Sequence, residues 1–100
     1  MDSEDTVLVM VHKRIRKRES YDIDSNEIIE ALEKNGYPME EPEVMGALAA
    51  LKEAGYLRAY EDIEESGGKS RVTRYWGLEI TPEGAMRAID LMNQFRYGAQ

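Results

Sequence analysis

The sequence predicts an α+β fold of one domain, in which three helices, a two-stranded antiparallel hairpin and a closing helix share one core. Three observations carry this expectation. Apolar residues recur at helical spacing up to Gly55, alternate from Leu57 to Ile80, and return to helical spacing after Pro82. Gly36, Gly55 and the pair Gly67 and Gly68 stand where the pattern changes, as helix stops and hairpin turns require. A length of 100 residues, 42% hydrophobic and 33% charged, suits one core and is short for two.

Val7, Leu8, Val11 and Ile15 mark a first helix over about residues 4–18, with Val9 and Met10 widening its apolar face. "YDI", Tyr21 to Ile23, is short and β-like. Asp24 and Glu27 then have the spacing of a capping box, and Gly36 fits the left-handed stop of a second helix over about 25–35. Pro42 suits a first helical position, and Gly55 ends a third helix whose inward face is Val44, Leu48 and Leu51.

The alternation in "YLRAYEDIE" puts Leu57, Ala59 and Ile63 near one side of a first strand. In "RVTRYWGLEI" it puts Val72, Trp76, Leu78 and Ile80 inside and Arg71, Thr73, Tyr75 and Glu79 outside. "ESGGKS" reads as a flexible loop between the two strands. Thr81 and Pro82 supply an N-cap and a first helical residue for a last helix over about 82–96, through Ala85, Ile89 and Met92. One domain with a core over about 5–96 is expected.

No cysteine is present, so neither a disulfide framework nor a thiolate metal site is available. The early apolar run "VLVMV" follows acids where a secretory signal carries basic residues, and a cytoplasmic protein is expected. The net charge of −7 and the pI of about 4.7 repel nucleic acid and anionic membranes on average. The average hides blocks. Five Lys/Arg lie between Lys13 and Arg18, eight acids between Asp22 and Glu43, and "GGKSRVTRY" is basic again. The first block equally suits the C-terminal end of a helix, where cations complement the dipole.

"LKEAGYL", the hairpin and then "LEITPEGAMRAI" (residues 51–57 and 78–89) resemble the winged-helix (winged helix-turn-helix) superfamily, in the general pattern of its small MarR-like and PadR-like members. The resemblance spans roughly residues 5–96 and implies a three-helix core, a hairpin wing and a C-terminal helix. It also implies a non-enzymatic, DNA-binding transcriptional or phage-type regulator, with the third helix in a major groove and the wing against phosphates. Lys69, Arg71 and Arg74 then contact the DNA backbone, with Lys52 and Arg58 nearby and Lys13, Arg14 and Lys17 as a second patch.

The third helix departs from a base-reading pattern. Its outward residues are Glu43, Gly46, Ala49, Ala50 and Glu53, behind Glu40 and Glu41, and only Lys52 at the flank is cationic. Small residues there let a second backbone approach closely, so the alternative is a protein-interaction module. Its acidic rim selects a basic partner, to the point of mimicking nucleic acid. In the last helix, Ala85, Ala88, Ile89, Leu91, Met92 and Phe95 cover nearly half the circumference, wider than one core needs. A homodimer through the first and last helices is expected, with Leu91 and Phe95 at its interface.

One histidine, His12, inside a basic helix leaves no nucleophilic triad, and "SGGKS" lacks the Walker spacing; neither catalysis nor a cofactor is expected. Asp22, Asp24, Asn26 and Glu33 match four positions of a calcium loop, but Glu27 stands where such a loop needs glycine, and the same residues make a capped helix. Tyr21, Tyr37, Tyr56, Tyr60, Tyr75, Trp76 and Tyr97 offer stacking surfaces to single strands, but most lie beside turns or in the hairpin, where packing at the core edge is expected, and Trp76 is assigned to the core.

Overall fold

The computed structural model describes residues 1–17 and 22–98, with the side chains of 96–98 excluded. Its elements are α1 (Ser3–Arg16), α2 (Ser25–Lys34), α3 (Glu41–Glu53), β1 (Leu57–Ser66), β2 (Lys69–Ile80) and α4 (Pro82–Gly98). Arg18 of the first basic block and Tyr21 of the expected short strand lie outside the described residues, as does the Tyr97 side chain.

Local chemistry sets most boundaries. Asp2 caps α1 by accepting from the Asp5 amide, and Asp24 caps α2 by accepting from the Glu27 amide at 2.9 Å. The reciprocal half of the capping box is not made, because the Glu27 carboxylate turns to Arg14 at 3.3 Å. Gly36 (φ 84°) and Gly55 (φ 83°) end α2 and α3 in the left-handed region, with Tyr37 and Tyr56 amides returning to the Leu32 and Leu51 carbonyls. Pro42 occupies the second helical position of α3, one later than its composition suggests.

Helix α1 runs through the centre of the molecule. Every residue from Thr6 to His12 is buried, against α2, α3, α4 and β2. The stripe expected from Val7, Leu8 and Val11 therefore widens into a helix covered on all sides, and Val9 and Met10 are spent inside the protomer. Ile28, Leu32, Val44, Leu48 and Leu51 complete the helical layer, and Leu57, Tyr75 and Leu78 close it from the hairpin.

The strands pair antiparallel from Leu57↔Ile80 to Ser66↔Lys69. The expected flexible loop is a tight two-residue turn, with Gly67 and Gly68 both at positive φ as type I′ geometry requires. Between Arg58↔Glu79 and Tyr60↔Trp76, β2 carries one residue more than β1, a bulge at Gly77 (φ 58°). That extra residue reverses the side-chain parity. Tyr75, expected outside, is buried at 3% exposure, whereas Trp76, assigned to the core, stands on the outer face. Ile63 is exposed, because the hairpin has left the core by that point.

Asp22 and Ile23, the described part of the stretch expected to be β-like, are not a strand; with Ser25 they fasten β2 by other means. The Ile23 carbonyl accepts from the Leu78 amide, Asp22 Oδ1 from the Gly77 amide at 2.9 Å, and Ser25 Oγ from the Tyr75 amide. One carbonyl and two side chains thus do the work of a third strand along the inner half of β2.

Candidate nucleic-acid interface

On α3 the outward residues are those the sequence indicates. Glu43, Gly46, Ala49 and Glu53 are exposed and Ala50 half-buried, with Val44, Ala47, Leu48 and Leu51 inside. Neither hydrogen-bonding amides nor free cations line this face. Lys52, its flanking cation, is bound to Glu61 of β1 at 3.1 Å and lies 6.0 Å from the Tyr75 ring. Glu43 accepts from the Ser3 hydroxyl.

The hairpin is less basic than β2 alone suggests. Arg58, Lys69, Arg71 and Arg74 are set against Glu61, Asp62, Glu64, Glu65 and Glu79. The register puts Arg74 opposite Asp62 and Arg71 opposite Glu64. Arg74 is committed to the fold. Its Nε donates to Asp24 at 2.9 Å, and its other nitrogens lie 3.9 Å from Asp22 and 3.6 Å from Asp62. The Asp24 hydrogen bond, followed by the three neighbouring carboxylate charges, holds the guanidinium above its ordinary pKa. This side chain, expected on phosphate, ties the hairpin to the start of α2.

Lys69, Arg71 and Arg58 make no ion pair within 4.0 Å among the described residues, and all three are exposed. They are the hairpin cations available to a polyanion. In the second patch, Arg14 pairs with Glu27, while Lys13 and Lys17 are exposed near the end of α1. That patch stands apart from the hairpin turn and is anchored by the helix that carries it.

On α4, Leu91 is 2% exposed and belongs to the protomer's own core. Met86, Ile89 and Phe95 are exposed instead, at 67%, 43% and 47%, with Met92 partly buried beside them. Of the two helices expected at a dimer interface, α1 buries its apolar residues Val7–Val11 in the protomer, and α4 exposes Met86, Ile89 and Phe95 but not Leu91.

A groove of about 460 Å³ between α2 and α3 has Ile29, Pro38 and Met39 along it and Glu33, Glu40, Glu41 and Glu43 at its rim. No group of three or more metal-ligating side chains occurs among the described residues, and the four calcium-like positions are divided between a cap, an ion cluster and a helix. No described helix is long and apolar enough to cross a membrane.

His12 is buried, with neither ring nitrogen hydrogen-bonded among the described residues. Burial, and secondarily the charge of Arg16, hold its pKa below the ordinary value of 6.5. The unfolded chain therefore binds a proton at higher pH than the folded one. Stability contributed by the neutral ring is complete above about pH 6.5 and is lost as pH falls toward the folded-state pKa. Urea midpoints should decline on acidification from about pH 7.5 to 5.5, and His12→Leu should flatten that decline. An equal slope in the two proteins would remove His12 as its cause.

Sequence reasoning missed Tyr60 and Trp76 as a surface pair and Asp22, Asp24 and Asp62 as partners of Arg74. A cross-strand register drawn between "EDIEES" and "KSRVTR" sets each cation of β2 against a carboxylate or hydroxyl of β1, but it carries no signal of Asp22 and Asp24, which lie outside the hairpin.

No family model matches the chain, and no curated protein matches it significantly. Solved structures do. F-93 of SSV1 superposes with a TM-score of 0.64 at 18% identity, over 100% of this chain and 92% of that one. A PadR family transcriptional regulator from Eggerthella lenta gives 0.59 at 21% identity, over 96% and 78%. The circadian clock associated protein Pex from Anabaena gives 0.59 at 17% identity, over 99% and 81%.

Proposed function

We propose that this chain, a winged helix by fold, is a non-enzymatic DNA-binding regulator that grips duplex DNA by its backbone and works as a dimer. The observation that carries the reading is the wing tip, where Lys69 and Arg71 project beyond the core without an ion pair among the described residues. Long cationic side chains at the end of a two-stranded arm reach phosphates without a strict geometry, and each phosphate neutralised releases condensed counterions. The structural neighbour from Eggerthella lenta, a PadR family transcriptional regulator, is consistent with this use of the fold.

Base reading is not part of the proposal. An outer α3 face of Glu43, Gly46, Ala49, Ala50 and Glu53 supplies no donor and acceptor pairs of the kind that distinguish bases. Selectivity would come from the spacing of two wings in a dimer and from DNA shape. The exposed Met86, Ile89 and Phe95, linked by the partly buried Met92 in an i, i+3 series that winds along α4, support a dimer through that helix.

The test is anisotropy of a labelled duplex titrated with protein across a salt series. Binding should weaken steeply with salt. Lys69→Glu with Arg71→Glu should weaken it at least about tenfold and flatten the logarithmic salt slope by roughly 2, one contact per cation. Absence of wild-type binding at low salt would end the reading.

That outcome would favour a second one, supported by the acidic groove between α2 and α3. Its apolar length and four glutamates suit a basic peptide segment with one apolar anchor, and the chain's net charge of −7 attracts such a partner.

A further inference from the structure

The bulge at Gly77 does more than turn Trp76 out of the core. On the outer face Trp76 meets Tyr60, with ring centroids 4.7 Å apart and planes inclined by 27°. The indole Nε1 donates to Asp62 Oδ1 at 3.1 Å, which fixes the lower ring of the pair. A Cβ at residue 77 would come within 3.0 Å of Tyr60 Cδ2, so the ring lies over bare backbone that only glycine provides. Tyr60 is nevertheless 64% exposed. Three constraints hold an aromatic plane against solvent, on the face of the hairpin opposite the core.

The surroundings of that plane are equally specific. A groove of about 330 Å³ opens beside Tyr60, lined by Arg58, Ala59, Tyr60, Gly77 and Glu79 and not by Trp76. Tyr60, Asp62, Glu64 and Ser66 alternate onto one face of β1, and their partners Trp76, Arg74, Arg71 and Lys69 share it. The platform and the unpaired cations of the wing therefore form one strip. Asp62 is engaged by Trp76 and Arg74, which leaves Glu64 opposite Arg71 and Glu79 in the groove as the other carboxylates of that strip.

We propose that this strip binds single-stranded nucleic acid, with an unpaired base stacked on Tyr60, its phosphate held by Arg58, and the adjoining backbone following Arg71 and Lys69. A π-face accepts any base, and cations spaced along the same face track the phosphates; this combination favours a single strand over a protein. Glu79 at the rim of the groove accepts a hydrogen bond from an exocyclic amine, which favours adenine, cytosine or guanine over thymine. The site shares Lys69 and Arg71 with the proposed duplex contact and differs from it in Tyr60 and Arg58, since the wing tip needs no stacking to meet phosphate.

The experiment uses the full chain and labelled oligonucleotides at low salt: oligodeoxyadenylate, an abasic strand of equal length, and a blunt duplex. The emission of Trp76, the one tryptophan, reports engagement of its neighbour directly. Oligodeoxyadenylate should bind and change that emission, the abasic strand should bind at least about tenfold more weakly, and Tyr60→Ala should lose a similar factor while Tyr60→Phe retains affinity. Tyr60→Ala should leave duplex affinity unchanged, whereas Lys69→Glu with Arg71→Glu should weaken both ligands. Equal binding of abasic and base-bearing strands, or of Tyr60→Ala and wild type with matched circular dichroism, would overturn the proposal. So would the absence of any single-strand binding by the wild type, whatever the duplex does.

Discussion

Replacing Gly84 with alanine is expected to destabilise the protein by about 3 kcal/mol, at the upper end of what one inserted methyl group does in a packed site. The reason is local. Thr81 caps α4 by accepting from the Gly84 amide, while its own amide donates to the Tyr56 carbonyl and its hydroxyl to the Gly55 carbonyl at 2.7 Å. This seats the first turn of α4 on the end of α3 so closely that a Cβ at residue 84 would fall 2.1 Å from the Tyr56 carbonyl oxygen. Backbone cannot rotate aside as a side chain does, so α4 must lift and give up the Thr81 hydrogen bonds. For 100 residues the loss corresponds to a fall in Tm of roughly 12–24 °C by circular dichroism. Gly46→Ala is the contrast. That glycine is mid-helix with nothing within 4 Å of a new Cβ, and the substitution should stabilise by about 0.5–1 kcal/mol. Equal melts for wild type and Gly84→Ala would mean that the α3–α4 contact is looser than described.

The second large effect separates core from interface on α4. Leu91→Glu places a carboxylate at a position 2% exposed, inside the hydrophobic core, and should destabilise by about 4 kcal/mol or more. The sequence alone points to Leu91 and Phe95 as dimer residues whose joint replacement yields a folded monomer. With Leu91 buried, that part in the proposed dimer falls to the exposed Ile89 and Phe95. Ile89→Glu with Phe95→Glu should keep the wild-type circular dichroism and halve the mass seen by light scattering, because both side chains are substantially exposed in the protomer. A dimer that survives the double substitution would move the interface off α4, and a wild-type monomer at high concentration would remove the dimer from the proposed function.

The elements themselves were legible because their signals are local. As caps and stops, Asp24, Gly36, Gly55, Thr81 and Pro82 work within a few residues of where they stand, whatever distant bonds Asp24 and Thr81 also make. Three other features depend on distant partners. Arg74 finds Asp24 and Asp22 about 50 residues away, so its commitment to the fold is invisible in the run "RVTRY". Gly77 reads equally as a strand glycine or a bulge, and choosing the wrong one exchanges Tyr75 with Trp76. Helix α1 shows a stripe in sequence but is covered all round, since which helix sits in the middle is settled by the packing of all the others. The glycine of "LEITPEG" carried the winged-helix resemblance as a pattern; its physical necessity appears only when the Tyr56 carbonyl is set beside it.

The central position of α1 also bears on how the chain acquires its structure during synthesis. A ribosome releases α1 first, yet the surfaces that cover it are on α2, α3, β2 and α4, and Arg87 reaches back to Asp5 across 82 residues at 3.4 Å. An apolar segment such as Val7–Val11 emerges with nothing to bury it, and the loop that joins it to α4 closes only when nearly the whole domain is outside the exit tunnel. Folding is then a late, concerted event, delayed by the seconds that translation of the remaining residues takes. During that interval the segment Val7–Val11 is an uncovered apolar run, and the acids Asp2, Glu4 and Asp5 before it and the cations after it are flanking charges of the kind that oppose aggregation.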